Sequence, residues 1–395
     1  MTLPALYLKR REERRLRAGH PWVFSNEVDV ARSPLGAFAA GDFVNVTAHS
    51  GQVLATAYVN PATLICARVV SRRADRPLDG AVLHERVQRA LALRERMAVG
   101  PYYRAVYAES DGLPGLVVDR FGDTLAVQIA TAGMERLRES VLAALDAVLS
   151  PRAVVLRNDG SGRRLEGLEE GVEWVRGGDG AVEILENGAR FSLQPGLGQK
   201  TGWFYDQRLN RARVAAWARG ARVLDLFSYR GGFGVQAALA GAAEVVCVDT
   251  SEEALAGAAD AAQRNGCAAR VQCQRSDVFD ALKAMHEDGR RFDLVVADPP
   301  AFARRKRDLP AAREAYRRLN RLAMRVLCED GLLFAASCSS HLDVDGLRDA
   351  LRGAARAAAR RIVLLEQGHQ GPDHPVHPML GESAYLKAFL VRAWS

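Results

Sequence analysis

Four acidic residues and one cysteine stand where the sequence predicts the ends of strands. Asp225, Asp249, Asp277 and Asp298 each close a short, mostly apolar run, and Cys338 follows another such run. Because ligands of open α/β sheets bind at the carboxyl ends of the strands, we expect these five side chains to meet at one edge of a sheet. Carboxylates at such an edge accept hydrogen bonds from a nucleoside, and a thiolate there is a nucleophile.

The stretch from Val223 to Gly234 predicts a tight, glycine-rich turn between a buried strand and a helix. The dinucleotide fingerprint Gly-x-Gly-x-x-Gly is absent, since Asp225-x-Phe-x-x-x-Gly-Gly occupies its place. The next strand ends in Asp249, which is placed to accept hydrogen bonds from both ribose hydroxyls. The pattern therefore favours a nucleoside without a pyrophosphate, such as S-adenosylmethionine. The alternative is an ordinary βαβ crossover.

Cys338 predicts nucleophilic chemistry beside that nucleoside. A thiolate at a strand end can add to carbon 6 of a cytosine, which makes carbon 5 able to take a methyl group from a sulfonium. The alternative is an inert thiol that behaves as a small hydrophobe, which is our expectation for Cys247, Cys267, Cys273 and Cys328.

The elements that position these residues form a predicted seven-stranded, mostly parallel sheet in a domain of residues 191–395. The expected strands are residues 222–227, 244–249, 271–275, 292–298, 331–337, 361–366 and 384–391. A helix is expected over residues 251–265, with Ser251 as its N-cap. The last two strands are joined by a loop that we expect over the same sheet edge. Its His374 and His377 either contact substrate or support the loop.

Two further domains are predicted ahead of this one. Residues 1–75 predict a small β-barrel with strands 42–47, 53–59 and 64–70 and a basic run before it, an arrangement suited to docking RNA. Trp22 and Phe24 are expected in the barrel core, the alternative being stacking on bases. Residues 76–190 predict an α+β domain with helices 77–97 and 134–148, strands 103–108, 116–118, 124–129 and 154–157, and no catalytic signature.

Composition narrows the class of protein. Of 395 residues, 48% are hydrophobic and 26% are charged, as in globular proteins. The net charge of +7 favours an acidic partner such as nucleic acid. No apolar run approaches the roughly 20 residues of a membrane span, and the basic N-terminus is unlike a signal peptide. We therefore expect a cytoplasmic protein without a membrane partner. The six cysteines contain no Cys-x-x-Cys pair, so no zinc site or disulfide framework is predicted.

Several stretches together resemble the RlmI-type large-subunit (23S) rRNA cytosine-carbon-5 methyltransferases. The matching stretches are residues 14–24, 109–116, 200–202, 206–208, 226–233, 248–251, 298–302, 337–339 and 373–375. The resemblance covers nearly the whole chain and implies an N-terminal PUA domain, a central α+β domain and a Rossmann-like class I methyltransferase domain. It also implies S-adenosylmethionine as cofactor and ribosomal RNA as partner, and leaves open whether the protein is a monomer or a homodimer.

The resemblance also implies roles for individual residues. Those implied to bind the cofactor are Tyr205, Gln207, Arg208, Asp225, Phe227, Ser228, Gly231, Asp249, Thr250, Ser251, Asp277, Val278 and Asp298. Within this set Phe227, Ser228 and Gly231 would lie beneath the methionine moiety of the cofactor. Asp249 would hold the ribose, and Asp277 and Val278 the adenine. Asp298 and Pro299 would shape the floor for the target base, and Cys338 would be the covalent nucleophile. On composition, the segment 199–208 forms either a lid over the cofactor or a surface cap.

One departure from the family pattern opens an alternative. Many RNA cytosine-carbon-5 methyltransferases carry a second cysteine after the proline of the fourth-strand motif, whereas this chain has Asp298-Pro-Pro-Ala-Phe302. Product release would then need another base, either Asp298 or a water molecule. The same motif resembles that of methyltransferases acting on exocyclic amines, with Ala301 inserted before the aromatic residue. A non-enzymatic RNA-binding protein is the third hypothesis.

Overall fold

The structure, a computed structural model, describes residues 2–178, 180–197, 202–303 and 305–395. The chain forms two compact units, and each is assembled from three segments. The first unit consists of Met1–Val182, Gln194–Trp203 and Pro372–Leu380. The second consists of Glu183–Leu193, Phe204–Gly371 and Gly381–Ser395.

The first unit begins with a five-stranded sheet around a small apolar core. Its elements are β1 (Ala5–Tyr7), α1 (Glu13–Arg17), β2 (Trp22–Phe24), β3 (Asp42–Thr47), β4 (Val53–Val59) and β5 (Ile65–Ser71). The strand order is β1-β3-β4-β5-β2. The three strands predicted in this region are confirmed, β3 and β4 with the expected bounds. Strands β1 and β2 were not predicted, since each has only three residues.

The expectation that Trp22 and Phe24 are core residues is wrong. Successive side chains of a strand point to opposite faces. In β2 it is Val23 that enters the core, while Trp22 and Phe24 on the other face are half-buried. The indole N–H of Trp22 donates to Glu109 at 2.7 Å, and the guanidinium of Arg15 lies 4.6 Å from the Phe24 ring centre. These aromatics are therefore part of a polar, partly exposed face.

A second five-stranded sheet completes the strands of the first unit. Its elements are α2 (Gly80–Glu95), β6 (Tyr102–Tyr107), β7 (Leu116–Phe121), β8 (Thr124–Ile129), α3 (Ala132–Glu135), α4 (Arg138–Leu149), β9 (Ala153–Asn158), α5 (Gly162–Leu165) and β10 (Gly171–Arg176). The order is β10-β9-β8-β7-β6. The four predicted strands are present, and the predicted helix over 134–148 is two helices. Strand β10 was missed because it is mostly exposed and lacks an apolar run.

The segment Pro372–Leu380 belongs to the first unit, although strands of the second unit flank it. The Arg94 guanidinium donates to the Asp373 carbonyl at 3.0 Å, and the Asp373 carboxylate accepts the Arg104 backbone N–H at 3.2 Å. The buried His374 ring packs against Tyr107 with centres 5.3 Å apart. Of the two predicted roles of His374, the structure therefore supports loop scaffolding.

The second unit is a doubly wound α/β layer preceded by a hairpin. Its elements are β11 (Val182–Glu186), β12 (Ala189–Leu193), α6 (Arg208–Ala216), β13 (Arg222–Leu226), α7 (Gly232–Leu239), β14 (Glu244–Asp249), α8 (Glu252–Arg264), β15 (Val271–Arg275), α9 (Val278–Glu287), β16 (Phe292–Ala297), α10 (Leu309–Arg325), β17 (Leu327–Ser337), α11 (Val344–Ala357), β18 (Arg361–His369) and β19 (Lys387–Trp394). The sheet order is β15-β14-β13-β16-β17-β19-β18, with β19 antiparallel to both neighbours. The predicted seven-stranded, mostly parallel sheet is confirmed.

Local sequence signals explain where these elements begin and end. The central strands are continuous apolar runs because helices cover both faces of a parallel sheet. Ser251, as predicted, caps α8 by accepting the Ala254 N–H. The hairpin β11–β12 is tied to α8 by two hydrogen bonds between Asn265 and the Arg190 backbone. The predicted boundary at residue 190 runs through this hairpin, and the division into three domains stays a prediction.

Throughout the residues that the structure describes, no helix combines the length and the apolar composition needed to cross a membrane.

Candidate active site

The pairing of neighbouring strands fixes how far along the strand direction each predicted site residue lies. Leu226 pairs with both Val248 and Ala297, so Asp249 and Asp298 each lie one residue beyond this row. Asp225 lies one row deeper, opposite Cys247 and Val296. The expectation that all four acids end their strands is therefore corrected for Asp225, which is still inside β13.

Asp225 is a buried carboxylate at the centre of the sheet. Its side chain is 1% exposed, and its Oδ2 accepts the Gly234 N–H at 2.9 Å. Burial raises the pKa of Asp225 to about 7; the Gly234 hydrogen bond opposes this rise, and the nearby charge of Asp298 adds to it. A carboxyl group with this pKa gains or loses its charge near neutral pH, so it responds to a cationic ligand.

The turn between β13 and α7 holds three residues in the left-handed region. Phe227 has φ of 57°, Tyr229 49° and Gly231 73°. Two of these are non-glycine residues, and such strained backbone concentrates at ligand sites. Gly231 is required here, because a Cβ would lie 2.9 Å from the Ala258 Cβ. Ser228 is buried in the same turn, and its hydroxyl has no nitrogen or oxygen partner among the described residues.

Asp249 is held by its own backbone surroundings. Its Oδ2 accepts the Tyr229 N–H and its Oδ1 the Ser251 N–H, both at 2.9 Å. Each carboxylate oxygen keeps a further lone pair, as recognition of two ribose hydroxyls requires. Thr250 and Ser251 follow at the exposed end of β14. The turn and β14 therefore place the predicted ribose group beside the predicted methionine site.

Asp277 and Val278 lie at the start of α9. The Asp277 Oδ1 accepts the Phe279 N–H at 2.8 Å and the Asp280 N–H at 3.2 Å, which makes it the helix N-cap. The Val278 side chain is in the hydrophobic core. This arrangement leaves one Asp277 oxygen and the Val278 backbone for contact with adenine, which stays a prediction.

Tyr205, Gln207 and Arg208 are all buried. The Gln207 Oε1 accepts the Asn210 amide at 2.6 Å, and the Arg208 guanidinium lies 3.6 Å from Glu186 on the hairpin. Glu186 was missed by sequence reasoning because the hairpin was not predicted. Gln199, Lys200 and Thr201 of the predicted lid lie outside the described residues.

Cys338 and the Asp298-Pro-Pro motif lie on neighbouring strands. The Cys338 thiol lies 3.9 Å from the Pro299 carbonyl oxygen, a weak hydrogen bond. Strands β16 and β17 pair in parallel, so both residues leave the sheet at its carboxyl edge. The structure therefore brings the predicted nucleophile and the predicted base-binding motif together.

Two buried residues near Cys338 were missed by sequence reasoning. The hydroxyl of Tyr316 on α10 accepts a hydrogen bond from Ser337 at 2.8 Å. Burial raises the pKa of Tyr316 to about 12; the Ser337 hydrogen bond opposes this, and the charges of Cys338 and Asp298 add to it. Lys387 on β19 is directly opposite Ser337 in the sheet. A lone lysine in the apolar run Leu386-Lys-Ala-Phe389 was the available signal.

The chemistry of this edge fits S-adenosylmethionine. The buried Ser228 hydroxyl has the Cys247 thiol beside it but no nitrogen or oxygen partner among the described residues, so it can accept a hydrogen bond from a ligand or donate one to it. The Asp225 carboxylate supplies negative charge near the predicted methionine site. Asp249 supplies acceptors for a ribose.

Comparison with known proteins gives consistent findings. The family model for S-adenosylmethionine-dependent methyltransferases matches residues 150–392, and that for PUA-like domains matches residues 6–72. The ribosomal RNA large subunit methyltransferase I of Erwinia tasmaniensis is 38% identical over 99% of this chain and 100% of its own length. That of Shewanella denitrificans is 36% identical over 98% of each chain.

Solved structures share the same fold. The crystal structure of SMU.776, assigned as a methyltransferase and complexed with SAH, superposes with a TM-score of 0.85 at 23% identity, over 98% of this chain and 100% of the other. A second methyltransferase structure, from Streptococcus mutans, has a TM-score of 0.83 at 22% identity and the same coverage. At these identities the likeness concerns the fold alone.

Proposed function

Since the chain belongs to the family of the ribosomal RNA large subunit methyltransferase I proteins, S-adenosylmethionine-dependent enzymes with a PUA-like domain, we propose that it methylates carbon 5 of a cytosine in 23S ribosomal RNA. One observation carries the choice of carbon 5. The Cys338 thiol stands 3.9 Å from the carbonyl of Pro299, in the motif proposed to receive the base. A cysteine in that place serves covalent activation of a pyrimidine and has no role in methylating an exocyclic amine.

The reaction then follows from the chemistry of Cys338. Its thiolate adds to carbon 6, the C5–C6 double bond opens, and carbon 5 becomes nucleophilic. When bound, S-adenosylmethionine would supply an electrophilic methyl group on its sulfonium and leave as S-adenosylhomocysteine; Ser228 and Gly231 would hold its methionine moiety. After carbon 5 has gained the methyl group, a base removes the carbon-5 proton, the C6–S bond breaks and the double bond re-forms. Asp298, or a water molecule that it binds, is the proposed base.

The surroundings of Phe302 argue against the alternative chemistry. In methyltransferases that act on exocyclic amines, the aromatic residue of this motif stacks on the target base. Here the Phe302 ring packs against Tyr316, with ring centres 4.8 Å apart and the planes tilted by 53°. The inserted Ala301 thus precedes a partly buried aromatic ring that packs against Tyr316, which supports carbon-5 methylation.

We propose that the first unit holds the RNA. Its basic run is exposed, and cations in such a position bind phosphates without reading sequence. The exposed cations are Lys9, Arg10, Arg11, Arg14, Arg15 and Arg17. The half-buried Trp22 and Phe24 belong to the same region of the chain. Carbon 6 reaches a thiolate only when the base is flipped or unpaired, so the target cytosine must leave any duplex. Such a reaction belongs in the cytoplasm, where ribosomal RNA is modified in bacteria.

The decisive experiment is nucleoside mass spectrometry of 23S ribosomal RNA after incubation with the protein and isotope-labelled S-adenosylmethionine. We expect labelled 5-methylcytidine. RNA containing 5-fluorocytidine should also trap the protein covalently, since fluorine at carbon 5 blocks the release step, and the Cys338→Ala variant should not be trapped. A labelled N-methylated nucleoside would refute the proposal.

A further inference from the structure

Lys387 is a buried lysine beside the proposed nucleophile. Its side chain is 3% exposed, although lysine is almost never buried unless it has partners. Its Nζ donates to the carbonyl oxygens of Ser339 and Tyr385, and Ser339 directly follows Cys338 in the chain. These two hydrogen bonds fix the ammonium next to the peptide that carries Cys338.

Titratable groups from several elements lie near this ammonium or the thiol. Asp298 follows β16, Tyr316 lies on α10, and Asp343 precedes α11. Burial lowers the pKa of Lys387 to about 8, while the negative charges of Cys338 and Asp343 oppose that lowering. Lys387 thus keeps its proton at neutral pH and interacts electrostatically with the thiolate form of Cys338.

The other three neighbours named above carry no positive charge that could stabilise a thiolate. Asp298 and Asp343 are acids, and Tyr316 stays neutral because its pKa is raised to about 12. Of these four neighbours, Lys387 alone carries a positive charge. A cation near a cysteine increases the thiolate fraction at neutral pH, and the thiolate is the reactive form.

We propose that Lys387 is the positioning residue that keeps Cys338 ionised. The inference rests on the proposed function, in which Cys338 is the nucleophile. When the thiol ionises, the S–H bond breaks, the proton leaves to water, and the sulfur keeps the electron pair. Lys387 retains all three protons throughout. It acts through Cys338 and contacts neither the base nor the cofactor.

The test measures the thiolate directly and needs no methyl transfer. The rate of Cys338 alkylation by iodoacetamide is followed by peptide mass spectrometry from pH 5 to pH 10. Two neutral variants are compared with the wild type. Lys387→Met removes the charge and both hydrogen bonds, whereas Lys387→Gln removes the charge and keeps an amide donor for the carbonyls. Lys387→Arg retains the charge.

We expect both neutral variants to move the midpoint of the Cys338 alkylation curve upward by at least about one pH unit, which lowers the rate roughly tenfold at any pH well below both midpoints. The arginine variant should restore the curve at least in part. Lys283→Met, the same change at an exposed lysine on α9, is the matched control and should leave the curve in place. Alkylation of Cys328 in the same samples reports whether the fold is intact.

An unchanged Cys338 midpoint in Lys387→Gln, with the Cys328 curve also unchanged, would overturn the inference whatever nucleoside the enzyme produces. The converse result is distinguishable. A shifted Cys338 midpoint together with a labelled N-methylated nucleoside would support the role of Lys387 at the thiol and refute only the proposed carbon-5 reaction.

Discussion

Replacing Asp225 with asparagine should remove the part of the pH dependence of cofactor affinity that comes from protonation of Asp225. The pKa of Asp225 is raised from an ordinary 3.8 to about 7, so its carboxyl group binds a proton as the pH falls through 7. The sulfonium of S-adenosylmethionine is a cation and prefers the carboxylate. Cofactor affinity is therefore expected to decrease below pH 7 in the wild type.

The size of the effect follows from this pKa. If only the carboxylate form binds, the apparent Kd is multiplied by one plus the ratio of protonated to deprotonated Asp225. That factor is about 11 at pH 6 and about 1.1 at pH 8, so the Kd should rise roughly tenfold from pH 8 to pH 6. The difference amounts to about 1.4 kcal/mol of binding free energy.

The assay is isothermal titration calorimetry of both proteins at pH 6, 7 and 8. The cofactor has an α-amino group that titrates in the same range, near 7.7–8.0 in model peptides, and the variant corrects for it. Asparagine keeps an oxygen that accepts the Gly234 N–H and removes only the charge. The ratio of the two Kd values therefore reports Asp225 alone. Parallel pH profiles for Asp225→Asn and the wild type would refute the reasoning.

The pH dependence of the unfolding temperature of the wild type and of Asp225→Asn provides an independent check on the raised pKa. A carboxyl group whose folded-state pKa is raised contributes stability below its unfolded pKa of 3.8, and this contribution is lost as pH rises through about 7. Asp225→Asn has no such group to titrate. The variant should thus gain in unfolding temperature relative to the wild type as the pH is raised from 4 to 8.

Three further results are expected. Cys338→Ala should abolish methyl transfer while calorimetry shows cofactor binding within about twofold of the wild type, and residual turnover at the wild-type rate would exclude covalent catalysis. Replacing Arg10, Arg11 and Arg14 together with alanine should weaken RNA binding. It should also reduce the slope of log K against log salt concentration by about 0.7–0.9 for each phosphate that the protein no longer neutralises. An unchanged slope would show that the basic run does not bind RNA phosphates. Burial lowers the pKa of Lys387 to about 8, so the free-energy cost of burying the charged lysine should disappear as the pH rises from about 8 to 10.5. Over that window, denaturant unfolding should show the wild type gaining stability relative to Lys387→Met.

The strands of the methyltransferase sheet were predictable from sequence because burial leaves little freedom in their composition. The mostly buried run Glu244–Asp249 agrees with the prediction residue for residue. The edge strand Val271–Arg275 also agrees, although none of its residues is buried, so burial does not explain that match. Both are followed by polar residues that begin a turn or a helix, and the chain alternates between strands and helical segments over this domain. That alternation specifies a parallel sheet with few possible topologies.

What the sequence did not predict depends on contacts between distant residues. Glu186 lies in a hairpin strand whose residues alternate between buried and exposed, and no apolar run marks it. Trp22 was assigned to the core because it is large and apolar, whereas the alternation of β2 buries its neighbour Val23. The closeness of Lys387 and Tyr316 to Cys338 follows from the pairing of β17 with β19 and the packing of α10, which no local pattern encodes.

Because Pro372–Leu380 belongs to the first unit, that unit can complete its folding only after this late segment has been synthesised. Arg94 and Asp373, which are joined by a hydrogen bond, are 279 residues apart. At a synthesis rate of about 5–20 residues per second, the ribosome adds Asp373 roughly 15–60 s after Arg94. Until then the Arg94 guanidinium has Asp111 but not the Asp373 carbonyl, and the Arg104 N–H lacks its carboxylate. The half of the protein that is made first is therefore among the last to be finished, and a fragment ending at Val182 would expose those donors permanently.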